Sequence, residues 1–178
     1  QVSKLQSVFN VVANRKPAIF VIAGDIAYAD NIWERYGQWH TWWDEWMNVI
    51  DPNEPIVPMF VGIGNHEVRP HLHGVKFDFE NKILGDSTWF GAQFAVPKNG
   101  AYDVMDIGDS ISIIMLDTEH VSPVVTGTDE QTVWLQNVLD ERKNVKHVIP
   151  YYHMPAYPAQ RSYNVDYFQR IREDWTTR

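Results

Sequence analysis

A chain of 178 residues is long enough for one domain with a substantial core and short for two. Its 44% hydrophobic and 21% charged residues are ordinary for a globular protein, and the net charge of −8 comes without the basic stripe that a nucleic-acid surface needs. The absence of Cys excludes disulfides, thiolate nucleophiles and cysteine-type zinc sites, and no apolar run approaches the length of a membrane span.

The first segment, "SKLQSVFNVVANR" (3–15), carries Leu5, Val8, Phe9 and Val12 at helical spacing behind a Ser suited to capping, and Pro17 closes it. "AIFVIA" (18–23) is short, continuous and β-branched, which predicts a strand buried on both faces. "NIWERYGQWHTWWDEWMNVI" (31–50) predicts a helix that gathers Trp39, Trp42, Trp43 and Trp46 on one broad packing face, ended by Pro52 and Pro55. "IVPMFVGIGNHE" (56–67) again reads as strand then turn. Residues 68–100, rich in Gly, Pro, His and aromatics, read as a long irregular stretch of the kind that more often serves function. "AYDVMDIGDSISIIMLDTEH" (101–120) predicts a hairpin with a buried second strand over 111–117. A helix follows over 128–143, with a capping signature at Thr128 and Gln131. Then come a strand over 147–153 and a last helix over 163–177. Strands alternating with helices make the fold class α/β.

Asp25, Asn65 and His153 each fall just past the end of an apolar strand. In open α/β sheets ligands bind in the crevice outside the carboxyl ends of strands, so residues distant in sequence converge there. Taken singly, a Gly-Asp after a strand is a turn, "GNH" is a turn with left-handed residues, and a His before Met-Pro is a satisfied imidazole. Together with Tyr28 they form an oxygen-and-nitrogen set suited to hard or borderline cations. A bound dication would also let so acidic a chain accept a phosphorylated substrate.

"GDIAY" (24–28), "GNHE" (64–67) and "PYYH" (150–153) followed by "MPAY" occur in the order and spacing of metallophosphoesterase motifs. The chain resembles that superfamily, and specifically purple acid phosphatases of bacterial type. Tyr28 is the specific part of the match, and Pro150 stands where the family has Val. The intervening segments also look like the family's, so the resemblance covers nearly the whole chain. It implies a layered β-sandwich flanked by helices, incomplete at both ends, forming a single partial catalytic domain over 1–178. It implies that Asp25 bridges two metals, that Tyr28 binds Fe(III) and gives a purple charge-transfer band, and that Asn65 and His153 bind Zn(II), Mn(II) or Fe(II). His66 would contact the phosphate or protonate the leaving group. Glu67 either orients His66 or is a solvated turn carboxylate. The implied activity is hydrolysis of small phosphate monoesters by direct attack of a metal-activated hydroxide. The implied location is extracellular or periplasmic.

The chain departs from the pattern at both ends. It has no Asp-x-Gly before residue 24 and no Gly-His-x-His after residue 153. It therefore offers two of the four expected ligands at the iron site and three of four at the divalent site. The remaining ligands are expected from flanking sequence or another chain, as for a segment of a longer protein. "HLH" (71–73) and His120 read as loop histidines, and Arg69 and Arg161 read as surface residues with an affinity for phosphate. Two rival readings stay open: a phosphodiesterase or nucleotidase on the same site, and a catalytically silent segment serving as a structural or binding piece.

Overall fold

A computed structural model describes residues 3–30, 32–67, 88–95, 102–118, 130–159, 169 and 171–176. Helix α1 (Lys4–Arg15) starts where the Ser3 hydroxyl accepts the Gln6 backbone N–H at 2.9 Å. It stops where Lys16 turns left-handed at φ 45°. Its inward face is Leu5, Phe9 and Val12, at the i, i+4, i+7 spacing of one helix face, while Val8 points to solvent.

Strand β1 (Phe20–Ile22) pairs in parallel with β2 (Met59–Val61), Phe20 opposite Met59 and Ile22 opposite Val61. Phe20 and Ile22 face the core, but Val21 on the other face is 39% exposed. The expectation of a strand buried on both faces is thus corrected. Alternation sends Val21 away from the layer of helices that covers its neighbours. Between these strands the expected long helix divides into a 3₁₀ turn at Trp33–Arg35 and helix α2 (Gly37–Met47).

Helix α2 presents Trp39, Trp42 and Trp46 to a core shared with Phe9 and Ile63, where edge-on rings dominate. Trp43 sits at the rim and donates its indole N–H to Gln93 at 2.7 Å. Gln93 belongs to helix α3 (Thr88–Gln93), which lies inside the stretch expected to be irregular. Phe90 drives that difference: it is buried in the same core, with Trp89 and Phe94 packed against it.

A second sheet holds the hairpin β3 (Asp103–Ile107) and β4 (Ile111–Met115), with β5 (His147–Tyr151) parallel to β4. Helix α4 (Glu130–Glu141) lays Leu135 and Val138 over Ile114 and Leu116. Thr128 lies outside the described residues. The Gln131 amide is committed to the Asp117 backbone, accepting from its N–H at 2.8 Å and donating to its C=O at 2.9 Å. The last described turn, Arg172–Thr176, is π-helical and packs Trp175 against Tyr152. No helix among the described residues is long and apolar enough to cross a membrane.

Candidate metal centre

Parallel pairing of β1 and β2 sends both chains out of the sheet side by side. The register continues past the strands, with Gly62 donating its N–H to the Ile22 carbonyl at 2.7 Å. Gly24 and Gly64 then touch: a Cβ on Gly24 would stand 2.4 Å from the Gly64 nitrogen, and one on Gly64 would stand 2.4 Å from the Asp25 nitrogen. Only two glycines allow this approach. Beyond it Asp25, Tyr28 and Asp30 all take positive φ, at 56°, 55° and 52°. Left-handed backbone at three non-glycine residues of one seven-residue loop stores strain of about 1–3 kcal/mol each. Such strain persists where the surroundings over-determine the loop.

Glu67 supplies much of that determination. Only 2% exposed, it accepts the backbone N–H of Asp25 at 2.6 Å, of Ile26 at 2.7 Å and of Gly64 at 2.9 Å. Burial pushes its carboxyl pKa up, against the pull of those three donors. Glu67 therefore ties the loop after β1 to the loop after β2. Neither role expected of it, orienting His66 or standing in water, is the one it has.

Three of the expected ligands converge on one point. His153 lies two residues past β5, and its ring spans Ala23 and the loops. Its Nδ1–H donates to the Ala23 carbonyl at 2.9 Å, while Nε2 lies 3.0 Å from Asn65 Oδ1 and 3.2 Å from Asp25 Oδ1. With the proton held at Nδ1, Nε2 turns a lone pair toward two oxygen acceptors. Electron-pair donors facing one another in this way are the arrangement a cation resolves. Zinc–nitrogen and zinc–oxygen bonds of about 2.0–2.2 Å place neighbouring tetrahedral ligands roughly 3.3 Å apart, close to these separations. The residues thus fit a metal. Among the described residues no three His, Cys, Asp and Glu side chains form a metal-holding group. The other polar groups of this cluster are an amide, Asn65, and a phenol, Tyr28.

Tyr28 adjoins Asp25 from the solvent side, 51% exposed. Partial burial and the adjoining Asp25 carboxylate, which its hydroxyl hydrogen-bonds, hold its pKa above the ordinary phenol value. Burial raises the Asp25 pKa; when His153 is protonated at Nε2 as well as Nδ1, its hydrogen bond and charge, with the His66 N–H, outweigh burial and leave the carboxyl lowered.

His66 stands beside the cluster. Its backbone N–H donates to Asp25 Oδ1 at 3.1 Å, and its ring lies 4.2 Å from that of Tyr28. Its Nε2 is 3.9 Å from Asp25 Oδ2, and Nδ1 bonds to the Asp30 carboxylate, which also pairs with Arg35. The partner that orients His66 is therefore Asp30, not Glu67. Sequence reading missed Asp30 and Arg35, although Asp30 closes the run "GDIAYAD" two residues past Tyr28. His71, His73, His120, Arg69 and Arg161 lie outside the described residues.

The model of the calcineurin-like phosphoesterase family matches residues 1–175. The chain belongs to the calcineurin-like phosphoesterases. Family membership makes metal-dependent phosphoester hydrolysis the chemistry to be explained, and a dinuclear metal centre is general among these phosphoesterases. The mixed α/β arrangement of parallel and mixed sheets between helices is consistent with that family's fold. No curated protein matches this calcineurin-like phosphoesterase chain.

Proposed function

We propose that this chain carries the site of a phosphomonoesterase of the purple acid phosphatase type, holding Fe(III) beside Zn(II), Mn(II) or Fe(II). The observation that carries the reading is the meeting of Asp25, Asn65 and His153 at three strand ends, with Tyr28 against Asp25. Asp25 would bridge the two cations, Tyr28 would bind the trivalent one, and Asn65 and His153 would bind the divalent one. When bound, the cations supply Lewis-acid polarisation of the phosphoryl group and a water of lowered pKa.

The chain's own residues then divide the work. His153 is held in the Nδ1–H tautomer by Ala23, so Nε2 stays a ligand rather than a proton donor. Asp30 accepts the His66 Nδ1–H, so that the imidazolium form of the ring would present Nε2–H to steady a phosphoryl oxygen or to protonate the departing alkoxide. Glu67 fixes the two loops so that these atoms face one another without reorganisation.

Metal analysis and a visible spectrum of the protein carrying this chain test the reading. The expected result is iron plus a divalent metal, with an absorption band that Tyr28→Phe abolishes. A colourless metal-free protein, or a Tyr28→Phe variant of undiminished colour, overturns it.

A further inference from the structure

The aromatic rings of α2 and its surroundings are buried or partly buried, but Trp33 is 69% exposed. It is nevertheless held in place. In a 3₁₀ turn side chains at i and i+3 eclipse one another. Trp33 accordingly lies parallel to Tyr36, with ring centroids 6.0 Å apart and planes 10° apart. Trp89 closes the group from α3, 5.4 Å from Trp33 and 4.7 Å from Tyr36. Gln93 braces it from below, donating to the Tyr36 hydroxyl at 3.4 Å while accepting from Trp43. The outcome is a fixed indole surface open to solvent.

Its position gives it a use. The same turn carries Arg35, whose guanidinium pairs with Asp30, the partner of His66. Trp33 lies three residues past Asp30, so their Cα atoms are at most about 11 Å apart. Tyr28, also exposed, leads from that edge to the His66 ring. A phosphate ester with its phosphoryl group between His66 and Asp25 would have its leaving group within reach of this edge if that group faced outward past Tyr28.

We propose that Trp33, backed by Trp89, is a specificity residue that stacks on a planar leaving group, either an aryl ring or a nucleobase. This rests on the phosphatase reading above and extends it to a substrate class. A preorganised flat ring offers stacking without ordering cost, and it accepts any planar partner because each presents a π-face.

The test uses the metal-loaded protein carrying this chain, wild type against Trp33→Ala and Trp33→Phe. Substrates are 4-nitrophenyl phosphate, adenosine 5′-monophosphate and glycerol 2-phosphate. Trp33→Ala is expected to raise KM about tenfold for the two planar substrates. It leaves KM for glycerol 2-phosphate and kcat for all three unchanged, and Trp33→Phe restores most of the loss. A rise with the nucleotide alone assigns the shelf to a nucleobase, and a rise with both assigns it to any planar ring. Equal KM changes for all three substrates, or none, overturn the proposal.

A binding arm separates this from failure of the phosphatase reading. Adenosine, which has no phosphate, is titrated calorimetrically into metal-free protein. Binding that Trp33→Ala abolishes supports the shelf even if no substrate turns over. Absence of binding in the wild type, with no selective rise in KM for 4-nitrophenyl phosphate in Trp33→Ala, overturns it.

Discussion

Asp30 and His66, 36 residues apart, meet through a carboxylate oxygen and Nδ1, and Arg35 holds the other carboxylate oxygen. This pairing fixes which imidazole nitrogen faces the cluster. Asp30→Asn should leave metal content intact and lower kcat about 10- to 100-fold, the usual cost of losing such an orienting partner. His66→Ala should cost about 10²- to 10⁴-fold. The double variant should be no worse than His66→Ala alone, because Asp30 acts only through His66. Steady-state kinetics with metal analysis checks all three; an additive double variant would separate Asp30 from His66.

Glu67→Gln keeps the shape of the buried side chain and loses one acceptor. One of the N–H groups of Asp25, Ile26 and Gly64 is then left facing an amide NH₂. The expected destabilisation is about 1–3 kcal/mol, read from urea unfolding. Metal affinity should fall with it, since the loops bearing Asp25 and Asn65 lose their tie.

Gly64→Ala would place a Cβ 2.5 Å from Asp25 Oδ1 and 3.0 Å from Glu67 Oε2. These atoms belong to the site, so relief of the clash moves the Asp25 carboxylate. About 1–3 kcal/mol of stability should be lost, together with metal binding, as seen by thermal unfolding and metal titration.

Far from the cluster, Arg142 grips both oxygens of Asp106 at 2.9 and 2.8 Å, and the Ser112 hydroxyl donates at 2.6 Å. The Arg142 bonds and the Ser112 bond hold the Asp106 pKa below its ordinary value. A carboxylate depressed on folding adds stability above its unfolded pKa and loses it as pH falls through the folded one. Asp106 is half-exposed, so the contribution is about 0–1 kcal/mol. The melting temperature of Asp106→Asn should trail the wild type near neutrality, and the two should merge below the ordinary aspartate range.

What sequence disclosed about this site follows from what strands impose. Asp25, Asn65 and His153 were legible because each follows an apolar run, and strand ends in an α/β layer converge whatever lies between them. The α1 cap at Ser3 and the tryptophan face of α2 were legible because capping chemistry and helical period are local. Asp30 was not, since its value comes from a left-handed backbone at residue 30, which no spacing announces. Glu67 was misjudged for a related reason. A carboxylate that accepts three main-chain N–H groups is indistinguishable in sequence from one in water. Helix α3 escaped notice because it is six residues long and interrupted by Gly91, so packing of Phe90 rather than propensity makes it.

The main-chain strap made by Glu67 separates construction from loading. Because a side chain joins the two turns, the chain itself supplies part of what holds the cradle together. Chelation should lower the melting temperature by no more than the loss of the ions' own binding free energy, without unfolding the two turns. Reconstitution would then proceed at the pace of ion entry, with no slow conformational search ahead of it.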